Sequence, residues 1–394
     1  MKFNFDEVVD RTHEPGSYSA KWSENPHMAA MFQAEEVPSD RLCFYVADMD
    51  FRTAPAITEA VKTVASHGIF GYSSTPDAYF DAVRRWMKDR FDMDIKQEEI
   101  YCEQGAHSAI VHIIEKLTKP GDGVIVPLPS YFYRGDVNAG HRYFVGCPLK
   151  NDNGYYTFDY DLFEKLCKEP QNTMVILMQP HNPTGRLWKE EEVKKIAQIC
   201  RDNNVIMLCD DVHMDFKRKE NTVVPFIKTV GPEGIVMVTG LGKTFNLAGL
   251  SLTNVIVQDP KLVEKMGRGG GAWLSPFSIA ACIAAYTEGD EWVDALNDYL
   301  DDVLEYAVER FHNELPKVKV VKPEGTYILW LDFTDCGFTS EELDKRIAGQ
   351  AHVALTDGAG MEPEPGTIFR RFCAASPKSR VKDAIDRIVA CLSE

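Results

Sequence analysis

The 394-residue sequence has no excess of positive charge: 43 lysines and arginines face 60 aspartates and glutamates, for a net charge of -17. A chain this acidic opposes polyanions, because nucleic-acid binding draws on Lys and Arg releasing phosphate counterions. Nucleic acid and anionic membrane are therefore not expected as partners. Long apolar runs are missing too. The longest weakly polar stretch, Ser278 to Tyr286, falls far short of the ~20 residues a spanning helix needs, and the N-terminus lacks a basic-then-apolar export pattern. A cytoplasmic, unexported protein is the expectation.

The ten cysteines contain no CxxC pair and run from Cys43 to Cys391, many of them inside apolar stretches such as 205–209. That spread argues against a disulfide framework and for reduced thiols that act as small hydrophobes without a catalytic role. Repeats, low-complexity tracts and a Pro/Gly-rich linker are absent as well, so the parts of the chain are expected to pack closely. What the sequence does have is 44% hydrophobic residues, enough to fill a sizeable core. At about 150 residues per domain, its length suggests roughly two to three domains.

Short Val- and Ile-rich runs, 124–126, 174–178, 205–209, 235–239 and 255–257, are each brief enough for a buried strand. Helical patterns lie among them: Ile110, Ile113, Ile114 and Leu117 recur at i, i+3, i+4, i+7, and so do Val193, Ile196, Ala197 and Cys200. This βαβ order predicts an α/β fold whose mostly parallel sheet is flanked by helices, with a ligand site at the carboxyl ends of the strands. From about residue 290 a long helix carries one apolar stripe of Leu296, Leu300, Val303, Leu304, Ala307 and Phe311. Strand-like 326–333, a helix start at Ser340, the run 367–373 and a last amphipathic helix through Val381, Ile385 and Ile388 follow it, and predict a smaller α+β domain. The expected division is 1–47 as an N-terminal segment packing with the small domain, 48–288 as the large domain and 289–394 as the small one. The stretch Gly267 to Ala272 matches the dinucleotide pattern GxGxxA but follows a helix-like segment instead of a strand, so a mobile loop is expected there.

Three polar features follow successive strands, separated each time by about one βαβ unit of roughly 30 residues: Asn182-Pro-Thr-Gly185, Asp210 and Lys243. Each alone has a plain structural use, as a turn, a helix cap or a solvated lysine. Together on one sheet edge they are what pyridoxal phosphate (PLP) requires. A lysine amine forms a Schiff base with the aldehyde, a carboxylate keeps the ring nitrogen protonated, and an amide holds the phenolic oxygen. The phosphate needs backbone N–H groups at a helix start, which Gly105, Ala106 and His107 supply just before the Ile110 helix.

Further motifs extend almost end to end: Lys21-Trp22, Tyr45-Val-Ala-Asp-Met-Asp-Phe51, Gly71-Tyr72, Pro180-His-Asn-Pro-Thr-Gly185, Asp210-Asp-Val-His213, Lys243-Thr-Phe-Asn-Leu-Ala-Gly-Leu250 and Glu324-Gly-Thr-Tyr327. On these residues the sequence resembles the fold-type I, class I/II aminotransferase superfamily and, within it, the cystathionine β-lyase and MalY-like C–S lyases. The resemblance implies a large PLP-binding domain and a PLP-dependent C–S β-lyase. Its substrate would be a sulfur amino acid such as cystathionine or cysteine, yielding thiol, pyruvate and ammonia. It makes Lys243 the Schiff-base lysine and the acid/base at Cα, makes Asp210 the pyridinium partner, and puts Asn182 and His213 on the phenolic-oxygen side. Tyr72 would reach the phosphate of the neighbouring subunit's cofactor, in a homodimer with shared sites. Arg371 would take the substrate carboxylate while adjacent Arg370 faces away along the alternating strand. Tyr131 is the candidate for the ring stacked on the cofactor, with Phe132 and Tyr133 as alternatives.

The sequence also departs from that family. Thr239-Gly-Leu-Gly242 keeps only one of the small hydroxyl residues found before the lysine, so Gly240 and Gly242 are expected to weaken the hold on phosphate. Cys373 stands where the family has the asparagine of Arg-x-Asn. Three alternatives accompany the lyase reading. An aminotransferase shares the chemistry at Cα, and a MalY-like chain is also a candidate regulator-binding protein. His181, Asp210, Asp211 and His213 offer donors suited to a metal-dependent hydrolase, although no metal is the expectation.

Overall fold

In the computed structural model, which describes residues 3–267 and 273–393, the Val- and Ile-rich runs join one seven-stranded sheet. Its strands are β1 (Ile100–Glu103), β2 (Gly123–Leu128), β3 (Tyr143–Pro148), β4 (Asn172–Met178), β5 (Ile206–Asp210), β6 (Ile235–Thr239) and β7 (Thr253–Ile256). Their spatial order is β1-β7-β6-β5-β4-β2-β3. Neighbours from β6 to β3 are parallel, whereas β7 runs antiparallel to both β6 and β1. The α/β class and the mostly parallel sheet hold. β1 and β3 are the strands that no apolar run announces: both lie at edges, β3 is largely solvent-facing, and β1, though buried, is the short mixed stretch Ile100-Tyr-Cys-Glu103.

The apolar runs follow from burial on both faces, since successive strand residues point to opposite sides. Val124, Val126, Met174, Ile176, Leu208 and Val236 pack on one face with Ile110 and Ile113 of helix α1 (Ala106–Leu117). Ile125, Val175, Leu177, Met207 and Met237 belong to the main core on the other. Three shorter or later helices matter below: α2 (Tyr133–Ala139), α3 (Leu241–Thr244) and α4 (Asp290–Glu314). The stripe expected on α4 is fully buried from Leu296 to Phe311.

Beyond α4, β8 (Ile328–Asp332), β9 (Thr356–Asp357) and β10 (Phe369–Cys373) make an antiparallel sheet in the order β8-β10-β9. The N-terminal segment reaches this region: Leu42–Cys43 pairs in parallel with Val353–Ala354, and Cys373 N donates to Phe44 O at 2.9 Å. None of the ten cysteines forms a disulfide, and nine are buried. Among the described residues no helix is long and apolar enough to cross a membrane. Apart from Gly267, the Gly267 to Ala272 stretch expected to be a mobile loop lies outside the described residues.

The Asn182-Pro-Thr-Gly185 turn is clamped from outside. Gly185 has φ +71°, and a Cβ there would come 2.3 Å from Pro323 Cβ, while Gly325 N donates to Gly185 O at 2.9 Å. Gly185→Ala should therefore destabilise the protein by more than the ~1–2 kcal/mol that a left-handed conformation alone costs a residue with a side chain. Thermal unfolding checks this, and an unchanged Tm would show that the turn relaxes freely.

Candidate active site

Parallel pairing brings the three polar features level. Met178, Asp210 and Val238 are register partners across β4, β5 and β6, so the Asn182 turn, Asp210 and the loop to Lys243 leave the sheet at one edge. Gly105, at φ +92°, caps α1 at that edge, and the first N–H groups of the helix have no partner within it. The antiparallel direction of β7 brings Ser251 and Thr253 to the same pocket from the opposite strand polarity.

Lys243 stands on the short helix α3, and its Nζ donates to Ala47 O at 2.7 Å. Burial pushes its pKa down, and the nearby Arg371 charge adds to this against Cys373, Asp48 and Asp210. Asp210 is held above the usual carboxylate range by burial, although Tyr133 Oη donates to Oδ2 at 2.6 Å and Val212 N to Oδ1 at 3.2 Å. Neither donor carries charge, so a cationic ring nitrogen against this carboxylate would relieve its cost of burial. His213 also lines the pocket, is kept neutral chiefly by burial, and has a buried Nδ1 without a hydrogen-bond partner among the described residues.

Arg371 points toward this site. Its Nη1 donates to Asn182 Oδ1 at 3.4 Å and its Nη2 to Tyr45 O at 3.1 Å, while Nε is buried and unpartnered. Arg370, one residue earlier, faces the opposite way and pairs with Asp344 at 2.7 Å and Asp357 at 2.9 Å. Of the three aromatic candidates, Tyr131 and Tyr133 line the pocket, whereas Phe132 is exposed on the side of Gly360. The Tyr133 hydroxyl is committed to Asp210. Ala106 and His107 also line the pocket, with the His107 ring at its rim.

Tyr72 is not brought to the pocket of its own chain. It is 92% exposed, with its ring edge-on to Trp273 at 4.8 Å. The alternative metal site is not assembled either: among the described residues no group of three or more His, Cys, Asp or Glu side chains is placed to hold an ion. His181 instead bonds Thr184 through Nδ1, and the Asp211 carboxylate is buried without a hydrogen bond among the described residues. A Cβ at Gly242 would make ordinary contact with Ala248 from 3.5 Å outward, but one at Gly240 would come 3.0 Å from Leu252 O. The Ser251 and Thr253 side chains thus stand in a pocket where the two glycines bring no hydroxyl.

The family model for aminotransferase class I and II matches residues 42–388. The chain belongs to that family. Among similar members, the cystathionine beta-lyase PatB of Bacillus subtilis (strain 168) is 34% identical over 99% of this chain and 100% of its own. Protein MalY of Escherichia coli (strain K12) is 28% identical over 98% of both. Among solved structures, cystalysin from Treponema denticola, which contains a pyridoxal 5'-phosphate cofactor, superposes with a TM-score of 0.92 at 27% identity. That match covers 100% of this chain and 99% of cystalysin. A PLP-bound C-S lyase from Staphylococcus hominis gives 0.89 at 28% identity, with 100% and 99% covered.

For a member of this family, the buried lysine, the uncompensated carboxylate, the free N–H groups of α1 and the orphaned Arg371 Nε fit PLP and a carboxylate-bearing substrate. Sequence reasoning missed Tyr133 as the partner of Asp210 and Ala47 O as the acceptor for Lys243. The first was visible only as one of three aromatics, and a backbone carbonyl leaves no residue-type signal. Tyr133→Phe should raise the Asp210 pKa further, because it removes a donor that favours the ionised carboxylate. The acid limb of the activity profile should then move to higher pH, and an unmoved limb would show that Asp210 does not control it.

Proposed function

We propose that this protein is a PLP-dependent C–S β-lyase acting on a sulfur amino acid of the cystathionine or cysteine type. Thiol, pyruvate and ammonia are the products. The observation that supports this most is the meeting of Lys243, Asp210 and a half-satisfied Arg371 at one sheet edge, in a chain whose full-length relatives include a cystathionine beta-lyase. When bound, PLP supplies an aldehyde for an amine and a ring that accepts electrons from the substrate α-carbon.

The protein's own groups do the rest. The N–H groups of Ala106 and His107 and the hydroxyls of Ser251 and Thr253 bind phosphate, with Gly105 allowing the close approach. Asp210 would keep a proton on the ring nitrogen, Asn182 and His213 would hold the phenolic-oxygen side, and Tyr131 would cover the ring. Arg371 receives the substrate carboxylate through its planar fork, for which Nε is already free. Lys243 takes the proton from Cα, and burial, which lowers its pKa, favours the unprotonated amine that a base requires. Loss of the Cβ–S bond then leaves an aminoacrylate that hydrolyses to pyruvate and ammonia. Residues 48–288 act as the cofactor-holding domain, 289–394 as the smaller domain, and 1–47 packs with the latter. The exposed aromatic patch of Phe70, Tyr72 and Trp273 supports a homodimer in which Tyr72 serves the neighbouring site.

Incubation with cystathionine or cysteine, and separately with alanine plus a keto acid, tests the reading. Thiol with pyruvate is expected; a new amino acid without thiol would overturn the lyase in favour of an aminotransferase. Lys243→Ala should abolish turnover and covalent cofactor attachment while the fold persists. Retention of full activity would sink the assignment.

Arg371→Lys should weaken carboxylate binding by roughly 1.5–3 kcal/mol, about ten- to a hundredfold in KM, because an ammonium lacks the fork. Arg370→Ala should instead lower stability with little change in KM. The opposite pattern would show that substrate is held elsewhere.

A further inference from the structure

A line of three titratable side chains leads from solvent into the pocket. Asp136 on α2 lies 2.7 Å from His107 Nδ1, and His107 Nε2 lies 3.3 Å from Tyr131 Oη. The His107 side chain is 55% exposed and Asp136 only 14%, so the imidazole meets water while its carboxylate partner is shielded. The Tyr131 ring continues the line inward, 5.9 Å from the Arg371 guanidinium. A substrate carboxylate on Arg371 therefore brings the amino acid alongside Tyr131. This is the order of groups in an acid–histidine–hydroxyl triad, with a phenol at the inner end.

We propose that Asp136, His107 and Tyr131 form a proton relay that serves the leaving sulfur. The inference rests on the C–S lyase reading. As the Cβ–S bond breaks, sulfur keeps the electron pair and takes the proton of Tyr131 Oη. His107 Nε2 returns a proton to the phenolate, and solvent reprotonates His107. Lys243 holds the proton it has taken from Cα, and the relay gives the sulfur a separate source that solvent refills.

Hydrogen-bond logic makes the relay depend on the charge of His107. With both ring nitrogens protonated, Nδ1–H donates to Asp136 and Nε2–H to Tyr131 Oη, which leaves the phenolic O–H free to point at substrate. With neutral His107 and its proton on Nδ1, Nε2 accepts and draws the phenolic O–H away. The bond to Asp136 raises the His107 pKa against burial and the Lys243 charge, with Asp210 also favouring the cation. Burial keeps Tyr131 protonated, opposed by Arg371, with Asp210, Asp136 and Cys373 adding to the effect.

The test compares a substrate whose sulfur needs a proton, cystathionine or cysteine, with β-chloroalanine, whose chloride leaves without one. General acid catalysis contributes about 10²- to 10⁴-fold, so an impaired relay should lower the cystathionine-to-β-chloroalanine ratio of kcat by about tenfold or more in Asp136→Asn and in His107→Gln. In Asp136→Asn the alkaline limb on the sulfur substrate should also move to lower pH, because the imidazolium loses its carboxylate. Equal losses on both substrates, or an unmoved limb, would overturn the relay while leaving the lyase reading intact. Wild-type protein that releases no thiol from either sulfur substrate would overturn both.

Discussion

Hydrogen bonding between parallel strands is the constraint on which the candidate site depends. Met178, Asp210 and Val238 are locked side by side by the ladders of β4, β5 and β6. A slip of one residue would turn the buried run of each strand onto the wrong face. The same register that buries Leu177, Cys209 and Met237 on the main core delivers Asn182, Asp210 and Lys243 to a common edge. Stability and site geometry therefore share one cause.

A second, charged layer fixes the other wall. The 47–51 strap is held by Asn246, which accepts from Met49 N and donates to the carbonyls of Met49 and Phe51. Asp50 is buried against Lys21 at 3.1 Å, Arg11 at 2.7 Å and the Trp22 indole at 2.9 Å. Burial alone would raise its pKa, but Lys21 and Arg11 outweigh that and hold the carboxyl below its usual range. Removing one member of such a cluster leaves a buried charge uncompensated, which is why the group acts as a unit. What it positions is Ala47 O, the shared acceptor of Lys243 Nζ and the Tyr327 hydroxyl at 3.0 Å.

Inside the pocket, burial is the common cause behind opposite effects. It pushes Lys243 and His213 toward their neutral forms and Asp210 toward its protonated one. A bound pyridinium and phosphate would supply the charges that Asp210 and the α1 N-terminus lack. The pocket is thus prepared for an ionic ligand that its own side chains do not neutralise.

The sequence by itself determined the strands that carry the site and the α4 stripe, because burial on two faces or along one helical face leaves a strict apolar period. It also placed Asn182, Asp210 and Lys243, each at a fixed offset from such a period, and strand alternation separated Arg371 from Arg370, while the choice of Arg371 came from the family resemblance. Edge strand β3 escaped because a largely solvated strand demands no apolar run, whereas β1 is buried along its whole length but is only four residues long and mixed in type. Only the tertiary structure decided that Tyr133 serves Asp210 while Tyr131 joins His107 and Asp136. It also decided that β7 returns antiparallel with Ser251 and Thr253, and that Lys21 and Trp22 close on Asp50. These contacts join residues from different elements, and no local spacing encodes which of several similar side chains will meet once the elements pack.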